Sequence, residues 1–143
     1  MDNQTVITII ILLLVALLFL IAYINSKKIP VKKKEDILSK LSELENQIKS
    51  PDDYARRDAV IKLDNLLAKS LNIRYGNDKQ CGDNLKISKK LFDRKLYQQL
   101  WDVHKLRNNI VHSDEDVPSV QAEEIYRIYK LGIKHVLKWK KYY

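Results

Sequence analysis

The distribution of apolar and polar residues divides the chain into two unequal parts. Val6 to Ile24 is an apolar run in which Thr8 is the only polar residue, whereas the remainder shows apolar positions at helical spacing. As an α-helix, the 19 residues of the run span roughly 28 Å, close to the ~30 Å hydrocarbon core of a bilayer. The pattern therefore predicts a transmembrane helix over residues 6–25, preceded by a short tail of residues 1–5.

A cleaved signal peptide is the alternative interpretation of this segment. Such a peptide begins with positive charges and ends in a cleavage site of small residues. The tail from Met1 to Thr5 has no Lys or Arg, and the run Tyr23-Ile24-Asn25-Ser26 is a poor cleavage site. The segment is therefore interpreted as an uncleaved anchor.

Of the two flanks of the apolar run, only the one after it is basic, in the predicted juxtamembrane linker of residues 26–35. The positive-inside rule then places the tail outside the cell and the rest of the chain in the cytoplasm, with the helix in the plasma membrane. The lysines either set this orientation alone or also hold anionic lipid head groups, each contributing about 1 kcal/mol. They are Lys27, Lys28, Lys32, Lys33 and Lys34.

Residues 36–143 show helical periodicity and no strand alternation, which predicts an all-α fold. Short connections between helices favour an antiparallel bundle. The predicted helices cover residues 36–48, 51–71, 87–92, 93–111 and 119 to the C-terminus, and residues 72–84 are predicted to form a loop.

The second of these helices has a recognisable start. Ser50 is the expected N-cap, and Pro51 suits the first helical position. Its charged residues are expected to form a solvated face; they are Arg56, Arg57, Asp58, Lys62 and Asp64. Cys81 falls in the predicted loop and is expected to be a spectator, because no pattern around it indicates an activated thiol.

Composition excludes several classes of protein. With 143 residues, three Gly, three Pro and one Cys, the chain is neither a large enzyme fold nor a disulfide scaffold. All 26 Lys and Arg lie in residues 27–143, beside 17 of the 18 acids. No phosphate-binding loop, dinucleotide fingerprint or metalloprotease motif is present. No metal and no cofactor are therefore predicted, and no nucleophile-elbow motif supports a serine–histidine–acid triad.

One stretch carries candidate chemistry, at the end of the helix predicted over residues 93–111. His104, Asn108 and His112 are spaced by four and share a helix face, which Arg107 borders. Arg107 and His112 lie about 140° apart on a regular helix at 100° per residue, so they converge only if the helix loosens near His112.

The sequence Arg107-Asn108 followed by Val111-His112, at the end of the penultimate bundle helix, resembles the HEPN family (higher eukaryotes and prokaryotes nucleotide-binding domains). The resemblance covers roughly residues 36 to 143. It implies a helical bundle that acts as a dimer, and often a metal-independent ribonuclease with Arg107 and His112 in its motif. In such chemistry His112 would transfer a proton, Arg107 would bind the phosphate, and Asn108 would orient either group.

A structural interpretation of the same residues stays open. Arg107 can pair with Asp58 or Asp64, and a cationic His112 is favourable at a helix C-terminus. The resemblance also extends to non-catalytic helper modules. The function is therefore expected to be either a membrane-anchored ribonuclease or RNA-binding protein, or a non-catalytic membrane scaffold. The expected partners are the membrane, a second copy, RNA, and a partner or antitoxin protein.

A second basic feature lies on the last predicted helix. Positive residues recur there at three- or four-residue spacing, with aromatic residues between them. This stripe is interpreted as a solvated helix face, an RNA-binding surface or a lipid-binding surface. Its residues are Arg127, Lys130, Lys134, Lys138 and Lys141.

The orientation of the anchor can be tested directly. A reporter fused after Tyr143 should be active only in the cytoplasm, because the flanking lysines resist translocation. The matched control carries acidic residues in place of Lys27 and Lys28. A fusion to the native chain that is active outside the membrane would contradict the orientation.

Overall fold

The computed structural model describes residues 2–26, 29–113 and 116–138, which form helices joined by short turns and loops, with no strand among them. The helices are α1 (Asn3–Ser26), α2 (Val31–Ile48), α3 (Asp53–Tyr75), α4 (Cys81–Ile87), α5 (Arg94–His112) and α6 (Ser119–Lys138). The all-α prediction is confirmed. Helix α1 forms one compact unit and helices α2 to α6 form another.

Helix α1 is long and apolar enough to cross a membrane, and none of its residues is buried by the protein. Its apolar side chains are therefore free to face lipid. At its start, a side-chain oxygen of Asp2 accepts a hydrogen bond from the backbone N–H of Thr5 at 3.0 Å. This contact satisfies one of the free N–H groups that every helix N-terminus presents.

Helix α2 begins five residues earlier than predicted. Pro30 precedes it with an extended backbone, and the lysine run that was expected to be linker forms its first turn. Lys32 and Lys33 are exposed there, and Lys34 is partly exposed. Lysine has good helix propensity, so the local sequence allows this extension. Lys27 and Lys28 lie outside the described residues.

Helix α3 is capped by Asp52 rather than by Ser50. The Asp52 carboxylate accepts hydrogen bonds from the backbone N–H groups of Tyr54 and Ala55. The helix continues past its predicted end to Tyr75, where Gly76 adopts a left-handed conformation with φ of 62°. Glycine is suited to this C-terminal position because it has no Cβ to clash with the backbone.

The prediction for the segment between α3 and α5 is wrong in detail. The short helix covers Cys81–Ile87, whereas residues 88–90, within the helix predicted over 87–92, form a turn. Asn84 is fully buried and its amide hydrogen-bonds Asn72 and Asn77, which closes the preceding loop onto the end of α3. These hydrogen bonds join α4 to α3 and to the loop between them, so helical periodicity within one segment does not predict them.

Side-chain contacts establish the direction of the bundle helices. Between α2 and α3, Gln47 contacts Asp58 while Asp36 contacts Lys69, so the two helices are antiparallel. Between α3 and α5, higher residue numbers on one helix contact lower numbers on the other, so these helices are also antiparallel. Between α3 and α6 the numbers of the contacting residues rise together, so these two helices are parallel. These pairs are Arg57–Ile110 and Asp64–His104 for α5, and Asp53–Val117 and Asp64–Tyr129 for α6. The four long helices therefore alternate in direction, as the antiparallel bundle predicts.

The charged residues of α3 do not form one solvated face. Arg56 Nε donates to the carbonyl of Val117 at 2.7 Å, and Arg57 donates to the carbonyls of Ile110 and Ser113. Both arginines are partly buried. They anchor the connection between α5 and α6 and satisfy carbonyls that the end of α5 leaves free. Asp58 and Lys62 do form an exposed ion pair.

Helices α2 and α6 are joined by a polar contact at the edge of the core. The buried Tyr126 hydroxyl donates to Glu45 at 2.8 Å, and Lys130 Nζ lies 3.3 Å from the same carboxylate oxygen. Tyr126, followed by Lys130 and Lys49, lowers the pKa of Glu45 from 4.5 to about 2. Burial, together with Glu45, raises the pKa of Tyr126. The tyrosine therefore stays a donor and the glutamate an acceptor.

This contact predicts a pH dependence of stability. Because the pKa of Glu45 is lower in the folded than in the unfolded chain, its ionised form stabilises the fold above pH 4.5, and this contribution disappears as pH falls towards 2. Glu45→Gln should unfold at a lower temperature than wild type at pH 7, and the gap should close by about pH 2. Circular dichroism of the detergent-solubilised chain measures this, with Glu43→Gln as the matched control. A gap that stays constant with pH would contradict the role of the ionised carboxylate.

Candidate functional site

A cleft of about 570 Å³ opens between α3, α4 and α5. Helix α3 contributes Asp64 to it, the short α4 contributes Cys81 and Gly82, and α5 contributes His104 and Arg107. Trp101 and Asn108 complete the α5 side, one helical turn away from His104 in each direction. The cleft therefore collects an imidazole, a guanidinium, an amide, an indole and two acids, of which the second is Asp83 of α4, paired with Lys86.

Asp64 is the centre of this group, and only 3% of it is exposed. Its Oδ1 accepts hydrogen bonds from the Tyr129 hydroxyl at 3.0 Å and from His104 Nδ1 at 2.8 Å. Its Oδ2 lies 3.7 Å from Nε of Arg107. A buried carboxylate remains charged only when donors and an opposite charge surround it. The expectation that Asp64 lies on a solvated face is therefore wrong.

The surroundings also keep two other groups neutral. Burial, reinforced by Asp64, raises the pKa of the Tyr129 hydroxyl well above 10, so this group remains a donor. Burial and the nearby Asp64 likewise raise the pKa of the Cys81 thiol. Cys81 is thus a neutral thiol in the wall of the cleft, which agrees with its expected role as a spectator.

The structure places the predicted catalytic residues in two different positions. Arg107 and Asn108 line the cleft, and Arg107 Nη1 donates to Asn108 Oδ1 at 2.9 Å. His112 is the exposed last residue of α5 and does not line the cleft. Helix α5 continues without interruption to His112, so it does not loosen as convergence with Arg107 would require. His112 occupies the helix C-terminus, where a positive charge is favourable.

The contact between Arg107 and Asp64 is close but incomplete. The Arg107 side chain is 24% exposed, and its buried Nε has no hydrogen-bond partner within the described part of the chain. At 3.7 Å the two groups attract each other without the geometry of a strong hydrogen bond. The guanidinium is therefore positioned by Asp64, while part of it still faces the cleft.

A metal-binding geometry arises here that the sequence spacing did not reveal. Ligand atoms of Asp64, Cys81 and His104 all lie within 4.8 Å of one another. The Arg107 guanidinium beside Asp64 opposes a second positive charge, and a neutral Cys81 thiol is a poor ligand. The prediction that the site works without metal stays a prediction.

The basic stripe on α6 is partly neutralised by its own neighbours. Arg127 Nε donates to Glu124 at 2.9 Å, and Lys130 contacts Glu45. Lys134 and Lys138 are exposed. Lys141 lies outside the described residues. Among the described positions, only the C-terminal half of the stripe therefore keeps charges without an ion-pair partner, which weakens the case for a continuous RNA or lipid surface.

In the sequence His104 is only a neighbour of the motif, and nothing around Tyr129 indicates a role for it. A weak signal was present, since Asp64 interrupts the apolar stripe of α3 directly after Leu63. A charged side chain beside core positions requires a hydrogen-bonding or oppositely charged partner, but the sequence does not indicate which residue supplies it.

Comparison of the chain with protein-family models, with curated proteins and with solved structures finds no match. The geometry of the cleft is therefore the only indication of its chemistry.

The buried carboxylate predicts two graded losses of stability. Asp64→Ala should lower the free energy of unfolding by about 3–5 kcal/mol. The variant removes the carboxylate that both Arg107 and His104 contact and leaves the partly buried guanidinium without a counter-charge. Tyr129→Phe keeps the ring packing and should cost about 1.5–3 kcal/mol, the value of one hydrogen bond to a charged group. Urea unfolding of the detergent-solubilised chain measures both. A loss below 1 kcal/mol for Asp64→Ala would show that the core does not depend on this charge.

Proposed function

We propose that the chain is a membrane-anchored, HEPN-like protein that binds RNA and cleaves it without a metal ion, acting as a dimer. The observation that carries this proposal is the position of Arg107 and Asn108 in one cleft with a histidine held by an acid. A cation and a proton-transferring imidazole are the groups that phosphodiester cleavage through the 2′-OH requires.

The membrane part of the proposal rests on α1 and on the start of α2. In this proposal α1 spans the plasma membrane with its N-terminus outside, and α2 to α6 lie in the cytoplasm. Lys32 and Lys33 occupy the first turn of α2, where no acid is present and the helix dipole disfavours positive charge. Anionic lipid head groups would offset this repulsion, and the sequence places these lysines within eight residues of the end of α1.

The arrangement of α5 supports a dimer. Arg107 faces the cleft, whereas His112 is exposed at the helix end about 140° further round the axis. One copy therefore does not present both residues to one substrate. A second copy can supply its exposed His112 to the cleft of the first, and tethering in one membrane raises the effective concentration of the two copies.

The alternative function, a non-catalytic membrane scaffold, is favoured by a specific contact. Arg107 is partly buried against Asp64, which is the geometry expected if the arginine only neutralises a core acid. In that case the cleft is structural and the bundle binds a partner protein through another surface. The two proposals differ in what Arg107→Ala does to RNA.

The deciding experiment incubates the detergent-solubilised chain with a mixed-sequence RNA oligonucleotide in EDTA. We expect cleavage by wild type to give 2′,3′-cyclic phosphate ends, and Arg107→Ala to be slower by about 10²–10³-fold, the effect of removing one group that stabilises a transition-state charge. Lys105→Ala, at an exposed position of the same helix, is the matched control and should cleave normally. An all-deoxy oligonucleotide should remain intact, since it lacks the 2′-OH.

Each departure from this result has a defined meaning. Intact RNA with a folded wild-type dimer would reject the ribonuclease in favour of the scaffold. Cleavage that stops in EDTA and returns with Zn²⁺ would instead assign the cluster of Asp64, Cys81 and His104 to a metal.

A further inference from the structure

We propose that His104 is the general base of this cleft and removes the 2′-OH proton, so that His112 of a second copy is left to protonate the leaving oxygen. This inference rests on the proposed ribonuclease function and names a residue that its motif does not contain. It follows from the contacts that orient the His104 ring and from the space around its free nitrogen.

The contact with Asp64 determines which nitrogen of His104 is free. A carboxylate oxygen accepts hydrogen bonds, so we assign the ring proton to Nδ1, which lies 2.8 Å from Asp64 Oδ1. Nε2 then carries the lone pair that a base needs. The same carboxylate, fixed in the core by Tyr129, holds the ring in one orientation, as the acid of a catalytic triad does.

The free nitrogen lies where a substrate can approach it. His104 lines the cleft, its side chain is 13% exposed, and no hydrogen bond to Nε2 is found within the residues that the structure describes. Gly82 of α4 is its neighbour: a Cβ at this position would lie 3.2 Å from Nε2. The absence of a side chain at residue 82 therefore keeps the approach to Nε2 open.

Two further residues of α5 in the cleft, Arg107 and Trp101, complement this base. Arg107 follows His104 by one turn of α5, so the guanidinium and the imidazole project from the same face. The guanidinium can bind the non-bridging oxygens of a phosphodiester while Nε2 meets the adjacent 2′-OH. Trp101, on the preceding turn, contacts the His104 ring edge-on at 5.9 Å and limits its rotation.

The step balances without an oxidant, a metal or a cofactor. The 2′-OH proton passes to His104 Nε2 as the O2′–P bond forms. The P–O5′ bond breaks with its electron pair on O5′, which takes a proton from His112 of the second copy. The products are a 2′,3′-cyclic phosphate and a 5′-OH. Water then carries the proton from His104 back to His112 of the second copy, which restores both residues.

The test uses two substrates that differ in the need for an acid. RNA needs a proton on its leaving O5′, whereas uridine 3′-(4-nitrophenyl phosphate) releases nitrophenolate without one. His104→Ala should be slower by about 10²–10⁴-fold on both substrates, the usual effect of losing general acid–base catalysis. His112→Ala should be slow on RNA and close to wild type on the nitrophenyl ester. The full-length dimer in detergent is used throughout.

Two further variants keep the inference testable if His104→Ala folds poorly. Gly82→Ala should lower kcat on the nitrophenyl ester without loss of thermal stability, because the added methyl group obstructs Nε2. Asp64→Asn tests the positioning role by ¹⁵N NMR of the labelled imidazoles. The His104 proton should reside on Nδ1 in wild type and distribute over both nitrogens in the variant.

The outcomes separate this inference from the function on which it rests. If wild type cleaves the nitrophenyl ester and His104→Ala cleaves it equally well, the base lies elsewhere while the ribonuclease stands. If wild type cleaves neither substrate, the ribonuclease itself is rejected and the catalytic role of His104 with it. A wild-type His104 proton on Nε2 would also overturn the assignment.

Discussion

The bundle is organised around one buried negative charge. Asp64 lies inside the helical core, and a carboxylate there is tolerated only with donors on its oxygens and a cation nearby. Those partners come from two other helices, His104 and Arg107 of α5 and Tyr129 of α6. The requirement sets the register of three helices at once, since a shift by one residue would leave the charge without partners. Apolar packing tolerates such shifts more readily, because it has no directional bonds.

The same constraint gives the cleft its chemical character. Asp64 attracts Arg107 and also fixes the His104 ring, so a group needed for the stability of the core also orients two residues that line the cleft. Hydrogen-bonded rings and positioned guanidinium groups are preorganised, which is the main contribution of a protein to acid–base and electrostatic catalysis. A scaffold function explains the ion pair of Arg107 with Asp64. It gives no reason for the open approach to His104 Nε2 that Gly82 leaves.

Most of the fold was predictable from local pattern. The apolar residues of α2, α3, α5 and α6 recur at helical spacing, and they supply most of the buried core. The predictions failed where distant contacts decide the structure. Helix α4 lies before its predicted position because the Asn84 amide and buried Leu85 contact other elements. Helix α2 begins in a run of lysines, where the apolar spacing that predicted the rest of the helix is absent.

The sequence by itself determined that the chain has an apolar segment long enough to span a bilayer, that the rest is helical, and that Arg107, Asn108 and His112 form a notable stretch. These properties depend on composition and on spacing along one helix, which are local. Only the tertiary structure decided that Arg107 and Asn108 share a cleft with His104, that Asp64 is buried beside them, and that His112 lies outside this cleft. Asp64 is 40 residues from His104 and 65 from Tyr129, so their contact depends on how whole helices pack.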